Sequence, residues 1–87
     1  MKVGRGNGCE KPYIDARLKS CTIILDYLDL TDKIYEIYDT KGCLEVYWKS
    51  EPTVLEMEQV DKMWIDKNEF YLEHFSCSFK SIKKVLC

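Results

Sequence analysis

Long apolar runs are missing from this sequence of 87 residues. No stretch reaches the roughly 18 apolar residues that a membrane-spanning helix needs, and the first residues lack the apolar segment of a secretory signal. These absences predict a cytoplasmic protein that does not enter a membrane. Hydrophobic residues make up 46% of the chain and charged residues 32%, a balance that favours one globular domain over a disordered chain.

Catalytic and metal-binding signatures are also scarce. His74 is the only histidine; Cys77 follows it at a ligand-like spacing, but no other cysteine or histidine pair completes a metal site. The glycines near the start have no preceding strand and no Lys-Ser/Thr pair, so they do not indicate a phosphate-binding loop. Five irregularly spaced cysteines favour reduced thiols over a disulfide framework. We therefore expect a non-catalytic protein with no metal or cofactor.

The segment 33–50 is the strongest structural signal that is present. Residues 34–38 and 43–48 are rich in Ile, Tyr, Val and Trp, and the turn sequence Asp-Thr-Lys-Gly separates them. The pattern predicts a β-hairpin with a bulge at Gly42, since glycine adopts positive φ at little cost. The register that follows pairs Tyr38 with Leu44, Glu36 with Val46, and Ile34 with Trp48.

This register gives the hairpin two different faces. The first face is assigned to the core and consists of Ile34, Tyr38, Leu44, Val46 and Trp48, with Glu36 as its one acid. The second face is predicted to be exposed and carries Tyr35, Ile37, Cys43 and Tyr47 among Lys33, Glu45 and Lys49. Tyrosine is enriched at the buried centres of interfaces, so the second face is either a docking surface or covered by a further packing layer.

Around the hairpin, the chain predicts a small α+β domain over residues 13–87, preceded by a flexible, glycine-rich arm over residues 1–12. Apolar residues at helical spacing predict a helix over 13–30, although β-branched residues leave a strand over 22–30 as the alternative. Thr53 and Glu56 fit a capping box for a second helix over 54–65. The expected architecture is an N-terminal helix, a hairpin extended to a small antiparallel sheet, and one or two further helices, with a helix plus β-meander as the alternative.

The C-terminal region allows two interpretations. We favour a strand over 69–77 followed by a short basic helix over 79–86, because the first segment is aromatic and poor in helix formers. The alternative is a heptad-like helical seam that would pack or dimerise. Its members are Leu72, Phe75, Phe79, Ile82 and Leu86. The sequence therefore retains a homodimer as an alternative assembly.

Charge is unevenly distributed along the chain. Residues 20–76 hold thirteen acids and five lysines, whereas residues 1–19 and 77–87 are basic. An acidic body attracts cationic partners and repels phosphate backbones, so direct nucleic-acid binding through the basic ends is the weaker hypothesis. In size, acidity and lack of catalytic signature, the chain resembles the small inhibitors that viruses and mobile elements encode against host nucleases, including anti-CRISPR proteins. The resemblance lies in these general properties and rests on no matched residues or motifs.

The sequence therefore predicts a protein-binding module that docks on a larger host protein with a basic nucleic-acid groove. Acids would act as phosphate surrogates, and hairpin residues would form the desolvated centre of the contact. The candidate partner-binding residues are Asp26, Asp29, Asp32, Tyr35, Glu36, Ile37, Glu45 and Tyr47. The competing hypotheses are a nucleic-acid-binding module that uses Lys80, Lys83 and Lys84, and a thiol or metal protein centred on His74 and Cys77.

Overall fold

A computed structural model of the chain describes residues 1–5, 11–40, 43–75 and 81–86. These residues form a small α+β domain, as the sequence predicts. In chain order, the elements are strand β1 (Lys2–Arg5), helix α1 (Lys11–Tyr27), a short 3-10 helix (Thr31–Lys33), strands β2 (Ile34–Asp39) and β3 (Leu44–Trp48), helix α2 (Val54–Phe75) and strand β4 (Ile82–Leu86).

The four described strands form one sheet in the order β1-β2-β3-β4. The predicted hairpin is confirmed, because β2 and β3 pair in antiparallel fashion. The rest of the sheet is not antiparallel: β1 runs parallel to β2, and β4 runs parallel to β3. The reason is the connection, since a helix lies between the strands of each parallel pair, and parallel neighbours need such a crossover.

The hairpin register differs from the prediction over most of its length. Ile34 does lie opposite Trp48, but a shift between Ile34 and Glu36 then places Ile37 opposite Val46 and Tyr38 opposite Glu45. A shift of one residue exchanges the two faces of a strand. Ile37 is consequently fully buried and Tyr38 is only partly buried, which reverses the predicted assignment. The predicted bulge at Gly42 lies outside the described residues.

Helix α1 confirms the predicted N-terminal helix, and the alternative strand over 22–30 is wrong. The helix ends at Tyr27, where Leu30 N–H donates to Leu25 O at 2.8 Å and Asp29 N–H donates to Asp26 O at 3.0 Å. This pattern is a Schellman motif, and Asp29 occupies its left-handed position with φ 58°. Leu25 and Leu30 are both buried, which supplies the apolar contact that accompanies such a turn.

Helix α2 begins at the predicted place and extends further than predicted. Glu56 N–H donates to Thr53 Oγ1 at 3.1 Å and Thr53 N–H donates to Glu56 Oε1 at 2.8 Å, which confirms the capping box. The helix continues to Phe75, so the alternative β-meander and the strand predicted from residue 69 are wrong. Residues 82–86 form β4 and not a helix, because their backbone pairs with β3; the helical seam is therefore also wrong.

The N-terminal arm is partly ordered by the sheet. Lys2–Arg5 form β1 along β2, whereas residues 6–10 lie outside the described residues. Gly4 lies opposite Tyr38, and a Cβ atom at Gly4 would overlap Tyr38 Cδ2. Glycine is therefore needed here to admit the aromatic ring, and not to provide the flexibility that the sequence suggests.

The core lies between the two helices and one face of the sheet. Its buried apolar residues are Ile14, Leu18, Cys21, Ile24, Leu25, Leu30, Ile34, Ile37, Leu44, Val46, Trp48, Val60 and Trp64. Burial raises the pKa of the Cys21 thiol to about 12, so this cysteine stays protonated and serves as an apolar residue. Cys21 and Cys43 are both free thiols.

One ion pair is buried beside this core. Arg17 Nε donates to Asp39 Oδ2 at 2.7 Å, and Arg17 Nη2 donates to Asp39 Oδ1 at 3.2 Å. Both side chains are almost inaccessible to water. The bidentate geometry compensates the cost of burying two charges, and it fixes α1 against the end of β2.

Candidate docking surface

The sheet has a second face that the two helices do not cover. Its residues are Lys2 and Gly4 on β1, Glu36 and Tyr38 on β2, Glu45 and Tyr47 on β3, and Lys83 and Val85 on β4. We call these eight residues the open face. None of them is buried, whereas the neighbouring residues that point to the other side of β2 and β3 form the core. The open face is thus the sheet surface that the described part of the chain leaves accessible.

The strand registers arrange the open face in two rows. One row runs Gly4, Tyr38, Glu45, Lys83 across the sheet, and the other runs Lys2, Glu36, Tyr47, Val85. Each tyrosine on a central strand therefore lies opposite a glutamate, and the lysines lie on the outer strands. The result is a pair of aromatic rings set diagonally between charged neighbours.

The charges of the open face partly compensate one another. Tyr47 donates its hydroxyl hydrogen to Glu45 Oε1 at 3.0 Å, and Lys83 Nζ lies 3.9 Å from Glu45 Oε2. Two lysines and two glutamates share this face, so it carries no net charge. A partner would meet a surface that is locally neutral and aromatic, which is cheaper to desolvate than a cluster of unpaired acids.

Beside the open face, Tyr35 lies at the register shift of β2 and is 42% exposed. Lys2 Nζ lies 3.5 Å from the Tyr35 hydroxyl and 5.3 Å from the centre of its ring. The lysine therefore contacts the tyrosine through both a hydrogen bond and a cation–π interaction. Tyr35 extends the aromatic surface toward the start of β2.

The predicted partner-binding residues fall into three groups. Glu36, Glu45 and Tyr47 lie on the open face, with Tyr35 beside it. Asp26, Asp29 and Asp32 are exposed at the end of α1 and in the 3-10 helix that leads into β2; we call these three residues the acidic end. Ile37 is fully buried in the core, so its assignment to an exposed docking face is wrong, and the register shift is the cause.

Sequence reasoning missed several members of the open face, namely Lys2, Gly4, Tyr38, Lys83 and Val85. Tyr38 was assigned to the core because the bulge was placed at the turn and not at Tyr35. The other four belong to outer strands, whose pairing depends on residues more than 30 positions away in the chain.

The excess acidity of the protein lies mainly in the helical layer. Helix α2 contains six acids and two lysines, whereas β4 contains two lysines and no acid. Glu56 is held by Lys33, whose Nζ donates to Glu56 Oε2 at 2.6 Å. This hydrogen bond and the one from the Thr53 backbone lower the pKa of Glu56. The acids that remain exposed on α2 and at the acidic end give the protein its negative field.

A second surface feature is an apolar depression between α1 and α2. It has a volume of about 290 Å³ and is lined mainly by Ile23, Met63 and Phe70, with Asp66 and Lys67 at its side. Its described lining brings together no nucleophile with a base. Among the residues that the structure describes, no group of three histidine, cysteine or carboxylate side chains is placed to hold a metal ion.

The residues of the two competing hypotheses are distributed differently from the prediction. Lys83 and Lys84 follow one another on a strand and point to opposite faces of the sheet, so they do not form the predicted helical basic patch. Lys84 Nζ donates to Glu51 Oε1 at 2.6 Å. His74 belongs to α2, while Lys80 and Cys77 lie outside the described residues.

Within the described residues, neither helix combines the length and the apolar character needed to cross a membrane. No protein family, curated protein or solved structure matches the chain. Function must therefore be inferred from the chemistry of the surface itself.

Proposed function

We propose that this protein is a non-catalytic binding module that docks through the open face on a protein with a cationic surface, such as a nucleic-acid groove. The observation that carries the proposal is the diagonal pair Tyr38 and Tyr47, both partly exposed on the sheet face that the described residues leave accessible. Tyrosine gives large contact area at little entropic cost, and such rings dominate the energy of many interfaces.

The acids contribute in a different way from the tyrosines. Because the charges of the open face cancel, attraction over long distances comes from the acidic end and from α2. Such a field raises the rate of association with a cationic partner and is screened by salt. Short-range affinity and long-range steering therefore reside on different residues, and they can be tested separately.

The resemblance in type to small nuclease inhibitors suggests the biological setting of the proposal. An inhibitor needs only a stable surface that occupies a groove, and a domain of this size supplies one. The partner would then be a host nucleic-acid-binding protein such as a defence nuclease.

The test is an affinity purification with tagged protein from a nuclease-treated lysate of its own cells, followed by reconstitution with the purified partner. Tyr47→Ala should weaken binding about 30-fold or more, as expected for a central aromatic contact. The matched control is Ile65→Ala, which removes an exposed apolar side chain from α2 and should leave affinity unchanged. A nucleic-acid oligonucleotide should compete with the protein for the partner.

Three results would contradict this proposal. The first is that no protein is retained, while bound nucleic acid disappears on nuclease treatment. The second is equal loss of affinity in the Tyr47→Ala and Ile65→Ala variants. The third is a retained partner that has no affinity for nucleic acid and no cationic surface.

Steering is tested by neutralising the acidic end. The variant Asp26→Asn, Asp29→Gly, Asp32→Asn removes three charges, and Gly at position 29 keeps the left-handed turn. We expect association to slow at low salt and to change little at high salt. A comparison variant, Glu58→Gln, Glu69→Gln, Glu73→Gln, removes the same number of exposed charges from α2, the other source of the field, and should also slow association at low salt. Equal slowing at low and high salt would contradict steering by the acidic end.

A further inference from the structure

Strand β4 forms one outer edge of the sheet. Its five residues pair with β3 in an uninterrupted register, from Leu44 with Ile82 to Trp48 with Leu86. Among the described residues, no strand pairs with the other side of β4. A regular edge of this kind presents a row of backbone N–H and C=O groups to which an extended segment can add.

One hydrogen bond fixes which backbone groups point outward. Leu44 N–H donates to Ser81 O at 2.8 Å, so the backbone of residue 81 faces β3. Backbone groups alternate in direction along a parallel strand, and those of Lys83 and Val85 therefore face β3 as well. The N–H and C=O groups of Ile82, Lys84 and Leu86 face away from the sheet. The edge thus offers three donors and three acceptors.

The side chains of β4 favour an acidic occupant. Lys83 and Lys84 lie at the middle of the strand, and β4 has no acid. Each lysine has a carboxylate on its inner side, Glu45 for Lys83 and Glu51 for Lys84. An ammonium group has three donors, so each lysine can donate to a second carboxylate that approaches from the outer side. Lys83 is 63% exposed and points to the open face, whereas Lys84 points to the other face.

From these observations we propose that β4 binds an extended acidic segment of a partner protein as an antiparallel fifth strand. The segment would place two neighbouring acids opposite Lys83 and Lys84, with apolar residues opposite Ile82 and Leu86. Antiparallel pairing is the more stable arrangement per residue. This edge shares Lys83 and Val85 with the open face, but its docking rests on the backbone of β4 and not on the tyrosine pair Tyr38 and Tyr47.

A second copy of the chain fits this edge poorly. Pairing β4 with β4 of another copy about a two-fold axis would bring the central lysines of both strands together, and like charges on facing strands are destabilising. The opposite edge fits an added strand less well too, because β1 has four residues and contains Gly4.

The test uses the complete chain, labelled with nitrogen-15, and a capped peptide with the core Val-Val-Glu-Glu-Val. Amide hydrogen exchange is measured by NMR with and without the peptide. The peptide should slow exchange at Ile82, Lys84 and Leu86 and leave it unchanged at Lys83 and Val85, which already donate to β3. A peptide with Lys-Lys in place of Glu-Glu should bind about threefold to tenfold more weakly.

A backbone variant tests the same geometry. Lys84→Pro removes an outward N–H, a change that edge strands tolerate, and it should abolish the protection of Ile82 and Leu86 by the peptide. Lys84→Gln retains the N–H, so it should keep the protection of Ile82 and Leu86 while reducing the preference for the acidic peptide, because Lys83 remains. It keeps the test valid if the proline variant does not fold.

Four outcomes would overturn the proposal. They are equal binding of the acidic and basic peptides, absence of binding by the acidic peptide, new protection at Lys83 and Val85, and protection at Ile82, Lys84 and Leu86 in the free protein. Protection in the free protein that grows with protein concentration would identify a second copy as the occupant.

Discussion

The two faces of the central sheet are built from the same strands and differ in almost every chemical respect. The covered face carries Ile37, Leu44, Val46 and Trp48, and its one acid, Asp39, is neutralised by Arg17. The open face alternates tyrosine with glutamate and has lysines on the outer strands. Removing a side chain from the covered face leaves a cavity or breaks an ion pair. On the open face, water takes the place of a removed side chain. The stability of the fold is therefore concentrated on one face, and the described residues leave the other accessible.

The largest effect is expected at the buried ion pair. Asp39→Ala leaves the Arg17 guanidinium buried without its carboxylate, so we expect a loss of about 3–5 kcal/mol in the free energy of unfolding. Urea denaturation followed by circular dichroism measures it. The control is the double variant Arg17→Met with Asp39→Leu, which removes both charges and should recover most of the loss. A double variant as unstable as Asp39→Ala would show that the ion pair is not the cause.

The next prediction separates the two possible hairpin registers. Ile37→Ala should lower the free energy of unfolding by about 2–5 kcal/mol, because it opens a cavity in the core. Tyr38→Ala should cost less, since the ring lies on the open face and water can take its place. The same urea titrations give both values. A larger loss for Tyr38→Ala would contradict the observed register and favour the one predicted from the turn.

A smaller effect is expected at the outer strand of the open face. Gly4→Ala places a Cβ atom against the Tyr38 ring, so the ring must move, at a cost of about 1–3 kcal/mol. Combining Gly4→Ala with Tyr38→Ala should remove this cost, because the obstructing ring is absent. A double-mutant cycle measures the coupling. Additive losses would show that Gly4 and Tyr38 do not contact each other.

The smallest effect is expected for a charge on the open face. Glu45→Gln removes the ion pair with Lys83 but retains an oxygen that can accept from Tyr47, so we expect a loss below about 1 kcal/mol. Thermal denaturation at low and high salt measures it, and the difference from the wild type should shrink as salt increases. A loss comparable to that of Asp39→Ala would show that the open face also holds the fold together.

Local signals in the sequence predicted several elements correctly. The capping box of Thr53 and Glu56 is a contact within one turn, and the apolar stripe of α1 repeats over four turns. The hairpin is predicted because two β-rich segments flank a turn sequence. In each case, the residues that determine the element are close together in the chain, so their pattern can be recognised without the fold.

The candidate surface was predicted only in part, because the register of the hairpin depends on contacts with the core. Glu45 and Tyr47 were placed on the exposed face by the hairpin pattern, whereas Glu36 was assigned to the core face and Ile37 to the exposed face because the position of the bulge differed. Both faces of β2 carry an aliphatic residue and a tyrosine, so their composition does not distinguish the registers. The distinction depends on the core, which receives Ile37 together with Asp39, the partner of Arg17.

The sequence by itself determined an α+β domain with a central hairpin, a capped second helix and an acidic middle region. The tertiary structure decided that Lys2–Arg5 and Ile82–Leu86 are strands, that they run parallel to their neighbours, and which side of β2 is buried. The physical reason is how far apart in the chain the residues that stabilise each element lie. Helical stripes, caps and turns are stabilised by neighbours within a few residues, whereas a short outer strand exists only because a distant strand satisfies its backbone hydrogen bonds.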